Sequence, residues 1–88
     1  MISIIVPTYN RAKILKQCIN SVIGLEEQHW ELIIVDDGSS DHTFDVVRHY
    51  LKDKRVHYIY QDNKGVSGAR NTVAVRAKGE YLLFLDSD

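Results

Sequence analysis

The 88-residue sequence predicts an α/β fold: a four-stranded parallel sheet with helices on both faces. Three observations carry this. Compact apolar runs of strand length alternate with apolar residues at helical spacing, in the order β-α-β-α-β-α-β. The strand runs are apolar on both faces, as in parallel sheets covered on each side. Each strand run also passes at once into a polar cluster: "TYN", "DDGSSD", "QDNKG" and "DSD" in turn.

The first strand is "ISIIVP" (Ile2 to Pro7), rich in β-branched residues. Ile14, Leu15, Cys18, Ile19, Val22 and Ile23 then recur at helical spacing, with Asn10 as the cap in front and Gly24 as the stop behind. "ELIIVDD" repeats the strand pattern. Phe44, Val47 and Leu51 form the apolar stripe of a second helix, which Ser40 or Asp41 can cap. "VHYIY" (Val56 to Tyr60) is a third strand that alternates in burial. Val66, Ala69, Val73 and Ala77 mark a third helix, with Arg76 and Lys78 suited to its C-terminal end and Gly79 closing it. "YLLFLD" is the fourth strand. No repeat, low-complexity tract or linker divides the chain, so residues 1–88 form one unit.

A chain of 88 residues buries roughly 60–65% of the surface it exposes when unfolded, so the core is thin. A formal net charge of −1 gives no reason to expect nucleic acid or acidic lipid as a partner. The single cysteine, Cys18, excludes an internal disulfide, fits a reducing compartment and, on the apolar stripe of the first helix, is expected in the core. No run reaches the ~20 apolar residues of a membrane span, and "MISIIVPTYN" lacks the basic flank of a signal peptide. A cytoplasmic domain is expected.

In a parallel sheet all strands point the same way, so the four polar clusters meet on one rim, where ligands of such sheets bind. Asp36, Asp37, Asp86 and Asp88 are brought together there. Crowded carboxylates repel one another unless a cation or hydrogen-bond donors relieve them. Asp86 and Asp88, two apart on an extended segment, sit roughly 6.5–7 Å apart between Cα atoms. Such hard oxygen ligands suit Mg²⁺ or Mn²⁺, with phosphate oxygens and water completing the shell. Asp41 reads instead as a helix cap. Tyr9, between a strand and a helix, can stack on a base or serve as packing. Gly38 suits a positive-φ turn. Arg70 lies early in the third helix, and helical side chains lean toward the N-terminus, which aims it at the rim; a surface ion pair is the alternative. "KGVSG" lacks the spacing of either glycine-rich phosphate motif and is assigned no phosphate cradle. His29, His42, His49 and His57 share no metal-ligand spacing and read as surface or half-buried residues.

The segments "IIVPTYNR", "LIIVDDGSSDHT", "NKGVSGARN" and "KGEYLLFLDSD" occur in the order and spacing of family 2 glycosyltransferases, and the resemblance covers essentially the whole chain. It implies a three-layer, Rossmann-like GT-A half-domain that uses a nucleotide-activated sugar. Pro7, Thr8 and Tyr9 resemble the loop that holds the nucleobase. Asp37 resembles the residue that hydrogen-bonds the base, with Asp36 supporting it, and Arg70 resembles a nucleotide-contacting arginine. "DSD" matches the D-x-D motif, in which Asp88 holds the divalent cation bridging the diphosphate and Asp86 lies near the ribose or the outer shell of the metal. Thr72 departs from the glycine usual after "ARN".

The resemblance implies metal-dependent sugar transfer from a nucleoside diphosphate sugar, a UDP-sugar above all, to a carbohydrate or lipid-linked acceptor hydroxyl, with inversion. The acceptor half and the catalytic base follow the D-x-D motif in this family. The chain is therefore expected to be the nucleotide-binding half of a longer enzyme, binding nucleotide without turnover, with its parent at the inner face of the membrane as one option. Two alternatives stand beside it. A non-catalytic binding domain would use the same fold and self-associate through an uncovered sheet edge. A haloacid-dehalogenase-type phosphatase also carries D-x-D, but at the end of its first strand.

Overall fold

The computed structural model describes residues 1–62 and the backbone of the strand at 81–84. Along the chain run β1 (Ile2–Thr8), α1 (Ala12–Ile23), β2 (Trp30–Asp36), α2 (Thr43–Arg48), a 3-10 turn (His49–Lys52), β3 (Val56–Tyr60) and β4 (Tyr81–Phe84). The strands lie in the order β3-β2-β1-β4, and each neighbouring pair is parallel. In register, Ile2 to Thr8 pair with Trp30 to Asp36, and Asp36 pairs in turn with Tyr60. The third helix expected from Val66, Ala69, Val73 and Ala77 lies outside the described residues, as do Arg70, Asp86 and Asp88.

Strand alternation sorts the core onto two faces. On one, Ile4 and Val6 of β1, Trp30, Leu32 and Ile34 of β2 and Val56 of β3 form a cluster with Leu15, Ile19 and Val22 of α1 and Val47 of α2. The other face carries Ile5, Ile33 and Val35, with Ile59 packed against them. Right-handed crossovers explain why α1 and α2 share a face: β1 to β2 and β2 to β3 step in the same direction across the sheet. β4 lies on the opposite side of β1, so the direction of growth reverses there. A helix of 12 residues is marginal alone. Burying Leu15, Ile19 and Val22, each at about 1.5–3 kcal/mol, is what holds α1 in place.

The N-terminal edge of the sheet has its own polar lock. Arg55 stacks 3.9 Å over the Trp30 ring, donates to Asp53 Oδ2 at 2.7 Å and reaches Gln28 O at 3.2 Å. Nearby, Ser3 Oγ donates to Glu31 Oε2 at 2.5 Å.

Three local expectations are corrected. The stripe Phe44, Val47, Leu51 is not a buried helix face: α2 stops at Arg48, tightens into the 3-10 turn, and leaves Phe44 and Leu51 exposed while Thr43 is buried. Phe44 packs its ring on Tyr58 instead, with centroids 5.2 Å apart. Asn10 does not cap α1, whose N-cap is Arg11 with no side-chain cap bond. Cys18 is half-buried rather than core. Gly24 does end α1, in a right-handed conformation and with its N–H bonded to Asn20 O at 3.0 Å.

Candidate functional site

At the C-terminal edge of the sheet the ladder runs one residue past the strands. Asp37 N–H donates to Thr8 O at 2.9 Å, and Gln61 N–H donates to Asp36 O at 2.9 Å. The ends of β1, β2 and β3 are thereby held side by side, and Pro7, Thr8, Tyr9, Asp36 and Asp37 come together as the sequence predicts. They sit next to the point where the order of strands reverses between β1 and β4, the position at which open α/β sheets bind ligands.

The individual residues differ sharply in what they can offer. Asp36 is 1% exposed, and both its oxygens are engaged within the protein: Oδ1 accepts Ser39 N–H at 2.9 Å and Oδ2 accepts the Tyr58 hydroxyl at 2.6 Å. The Ser39 bond, three residues on, closes the turn after β2, and Gly38 supplies its φ of 86°. Asp36 thus shapes the loop that presents Asp37. Asp37 is half-buried and receives the Gln61 side-chain amide on Oδ1 at 3.3 Å. Tyr9 is 52% exposed, with its ring open to a partner. Thr8 is 4% exposed, yet its Oγ1 has no hydrogen-bond partner among the described residues. An orphaned buried hydroxyl costs about 1–3 kcal/mol, which a ligand can relieve.

The loops after β1 and β2 clasp each other through Asn10. Its backbone takes φ 50°, a left-handed value that Asn tolerates better than most residues. Its N–H donates to Ser39 Oγ at 2.8 Å, and its Oδ1 accepts Ser40 N–H at 2.8 Å and Asp41 N–H at 3.2 Å. Asp41 answers across the gap: Oδ2 accepts Ala12 N–H at 3.4 Å, while Oδ1 takes Thr43 N–H at 3.0 Å and the Thr43 hydroxyl. Asp41 is not itself the N-cap of α2, which is His42, but its carboxylate accepts the first helical N–H of α2 and of α1. It serves the first turns of both α1 and α2.

Burial acts to raise the Asp41 carboxyl, but the bonds from Thr43 and Ala12, with the charge of His42, outweigh it and hold it below the usual range. Burial first, then the bond to Asp36 and its charge, push the Tyr58 hydroxyl well above its ordinary value.

Tyr58 and Gln61, which bond the two acids of the candidate site, are positions the sequence did not single out. The alternation of "VHYIY" places Tyr58 on the face of Val56, and "QDNKG" marks Gln61 as polar at a strand end. Neither pattern reveals a partner more than twenty residues away. A groove of about 590 Å³ lies along β3, lined by Glu31, Phe44, Leu51 and His57 among others, and includes none of the predicted site residues. Among the described residues no group of three or more His, Cys, Asp or Glu side chains could hold a metal ion. The expected ligands, Asp86 and Asp88, lie outside them.

Comparison with known proteins bears on this geometry directly. The sequence model of Glycosyl transferase family 2 matches residues 3–88. A putative teichuronic acid biosynthesis glycosyltransferase of Bacillus subtilis is 43% identical over 90 residues, covering 100% of this chain and 36% of that protein. Among solved structures, the mannosyltransferase PcManGT from Pyrobaculum calidifontis, in complex with GDP-Man and Mn²⁺, aligns with a TM-score of 0.91 at 27% identity, over 99% of this chain and 27% of that one. S. aureus TarS 1-349 in complex with UDP-GlcNAc aligns at 0.85 with 34% identity, over 99% and 26%. The chain spans about a third of the Bacillus relative and about a quarter of the solved chains.

This chain shares its fold with these glycosyltransferases, two of which were solved with a nucleotide sugar bound, GDP-Man in one and UDP-GlcNAc in the other. The chain belongs to glycosyl transferase family 2.

Proposed function

We propose that this chain is the nucleotide-binding half of a GT-A glycosyltransferase, a three-layer unit with helices on both faces of a four-stranded sheet. The parent enzyme passes a sugar from a nucleoside diphosphate sugar, a UDP-sugar by preference, to a carbohydrate or lipid-linked acceptor hydroxyl with inversion. The observation that carries this is the joining of Thr8, Tyr9, Asp36 and Asp37 at the sheet edge beside the β1/β4 reversal.

In this reading Tyr9 offers an exposed ring for the base to stack on, worth a kilocalorie or so of the kind aromatic pairs supply. The Asp37 carboxylate accepts a hydrogen bond from an N–H of the base, and the orphaned Thr8 hydroxyl gains a partner. Asp36 touches no ligand and holds the loop. Arg70 is assigned a contact with the nucleotide, as its place in "ARN" suggests. The acids at positions 86 and 88 form a hard-oxygen donor pair, which fits Mg²⁺ or Mn²⁺. Such a cation, when bound, neutralises charge on the departing diphosphate. The general base is assigned to the acceptor half, and the working location to the cytoplasm, at the membrane face if the acceptor is lipid-linked.

Titration of the 88-residue chain with UDP and Mn²⁺, followed by amide NMR, tests this. Shifts at Thr8, Tyr9 and Asp37, abolished in Asp37→Ala, with no turnover of a sugar donor, are the expected result. A spectrum indifferent to UDP and Mn²⁺, or robust transfer by the chain alone, would overturn it.

A further inference from the structure

Gln61 stands directly after β3 and is 7% exposed, although a glutamine at a strand end is ordinarily a solvated residue. Its main chain is tied to Asp36 O at 2.9 Å, and its side-chain Nε2 meets Asp37 Oδ1 at 3.3 Å. A carboxylate can only accept, so chemistry decides which end of the amide faces Asp37. On its other flank Asp37 is fixed through its own N–H to Thr8 O at 2.9 Å. The carboxylate is therefore held from β1 through its backbone and from β3 through its side chain.

We propose that Gln61 is a specificity-determining positioning residue of the nucleotide site. Its amide sets the orientation of the Asp37 carboxylate as an acceptor, so that the site prefers a base edge presenting an N–H over one presenting a bare ring nitrogen. This rests on Asp37 being the group that reads the base. Uracil carries a ring N–H between two carbonyls, whereas cytosine has an unprotonated nitrogen in the same place. An ionised carboxylate pairs with the first and repels the second. An amide neighbour donates to the carboxylate and leaves its remaining lone pairs as acceptors for the base. A carboxylate neighbour would do the reverse, raising the pKa of the pair and giving the site a protonated oxygen that can donate to cytosine.

The test compares UDP with CDP binding by calorimetry, in the presence of Mn²⁺, for the 88-residue chain and four variants. Gln61→Met keeps the length and removes the donor; Gln61→Asn keeps the amide but shortens its reach. Each should lower the UDP/CDP affinity ratio by about fivefold, the loss of one modest hydrogen bond. Gln61→Glu should lower the ratio further and make it pH-dependent, with CDP gaining as pH falls, which a merely structural role for Gln61 would not produce. Asp37→Ala serves as the control for base reading and should abolish the preference. A ratio within twofold of the original in the Gln61 variants, with the preference lost in Asp37→Ala, overturns the proposal alone. A preference that survives in Asp37→Ala overturns base reading by Asp37, and this proposal with it.

Discussion

Tyr58, on the edge strand of the described sheet, donates its hydroxyl to Asp36 Oδ2 at 2.6 Å. That single bond ties β3 to the buried acid whose other oxygen folds the loop presenting Asp37. The loop after β2 is thus supported from beneath by a tyrosine of the neighbouring strand.

Tyr58→Phe keeps the ring against Phe44 and removes only this donor. It leaves a buried carboxylate short of one partner, at a cost of about 1–3 kcal/mol, readable as a lower urea midpoint at unchanged m-value. The alkaline limb should change as well. The Tyr58 pKa is raised in the folded state, so above the ordinary tyrosine value of about 10 the unfolded chain loses a proton that the native chain keeps, and stability falls as pH rises. Stability measured across the alkaline range should fall less steeply in Tyr58→Phe than in the original protein.

Asn10 combines a left-handed backbone with three hydrogen bonds to the opposite loop. Asn10→Ala loses the side-chain acceptor and strains the backbone, and should destabilise by about 2–3 kcal/mol. Asn10→Gly relieves the φ of 50° but not the lost acceptor, and should recover about 1 kcal/mol of that. Thermal melts of the two variants, read with their UDP affinities, separate strain from clasp: affinity should drop in both.

Asp41 is held below the usual carboxylate range in the folded chain. Its contribution is present above the unfolded value of about 4 and is lost as pH falls through the folded one. Asp53, lowered by its bonds to Arg55, acts in the same direction. Asp41→Ala should cost about 1 kcal/mol near neutral pH, as loss of a helix cap does. The gap between variant and original, followed by denaturation from neutral to acid pH, should shrink below about pH 4.

Much of this architecture was legible in the chain because parallel strands advertise themselves locally. "ISIIVP", "ELIIVDD" and "VHYIY" needed only their β-branched runs to be placed, and the helices between them forced the crossovers. Phe44 and Leu51 misled because helical spacing reports a possible face, and the helix ended before that face could be buried. Asn10 misled as a helix cap for a related reason. A capping residue read along the chain is matched to its own segment, whereas Asn10 bonds Ser40 and Asp41, thirty and thirty-one positions away. Asp36 and Asp37 look alike in sequence. Only the register, which turns one inward to Tyr58 and leaves the other half-buried beside Gln61, separates their surroundings.

Trp30, the single tryptophan of the chain, sits beneath the Arg55 guanidinium at the sheet edge opposite the nucleotide loops. Its fluorescence is consequently a private gauge of folding: the emission should redden when the protein melts and stay still when UDP arrives. Stability and occupancy can then be followed in one cuvette without an added dye.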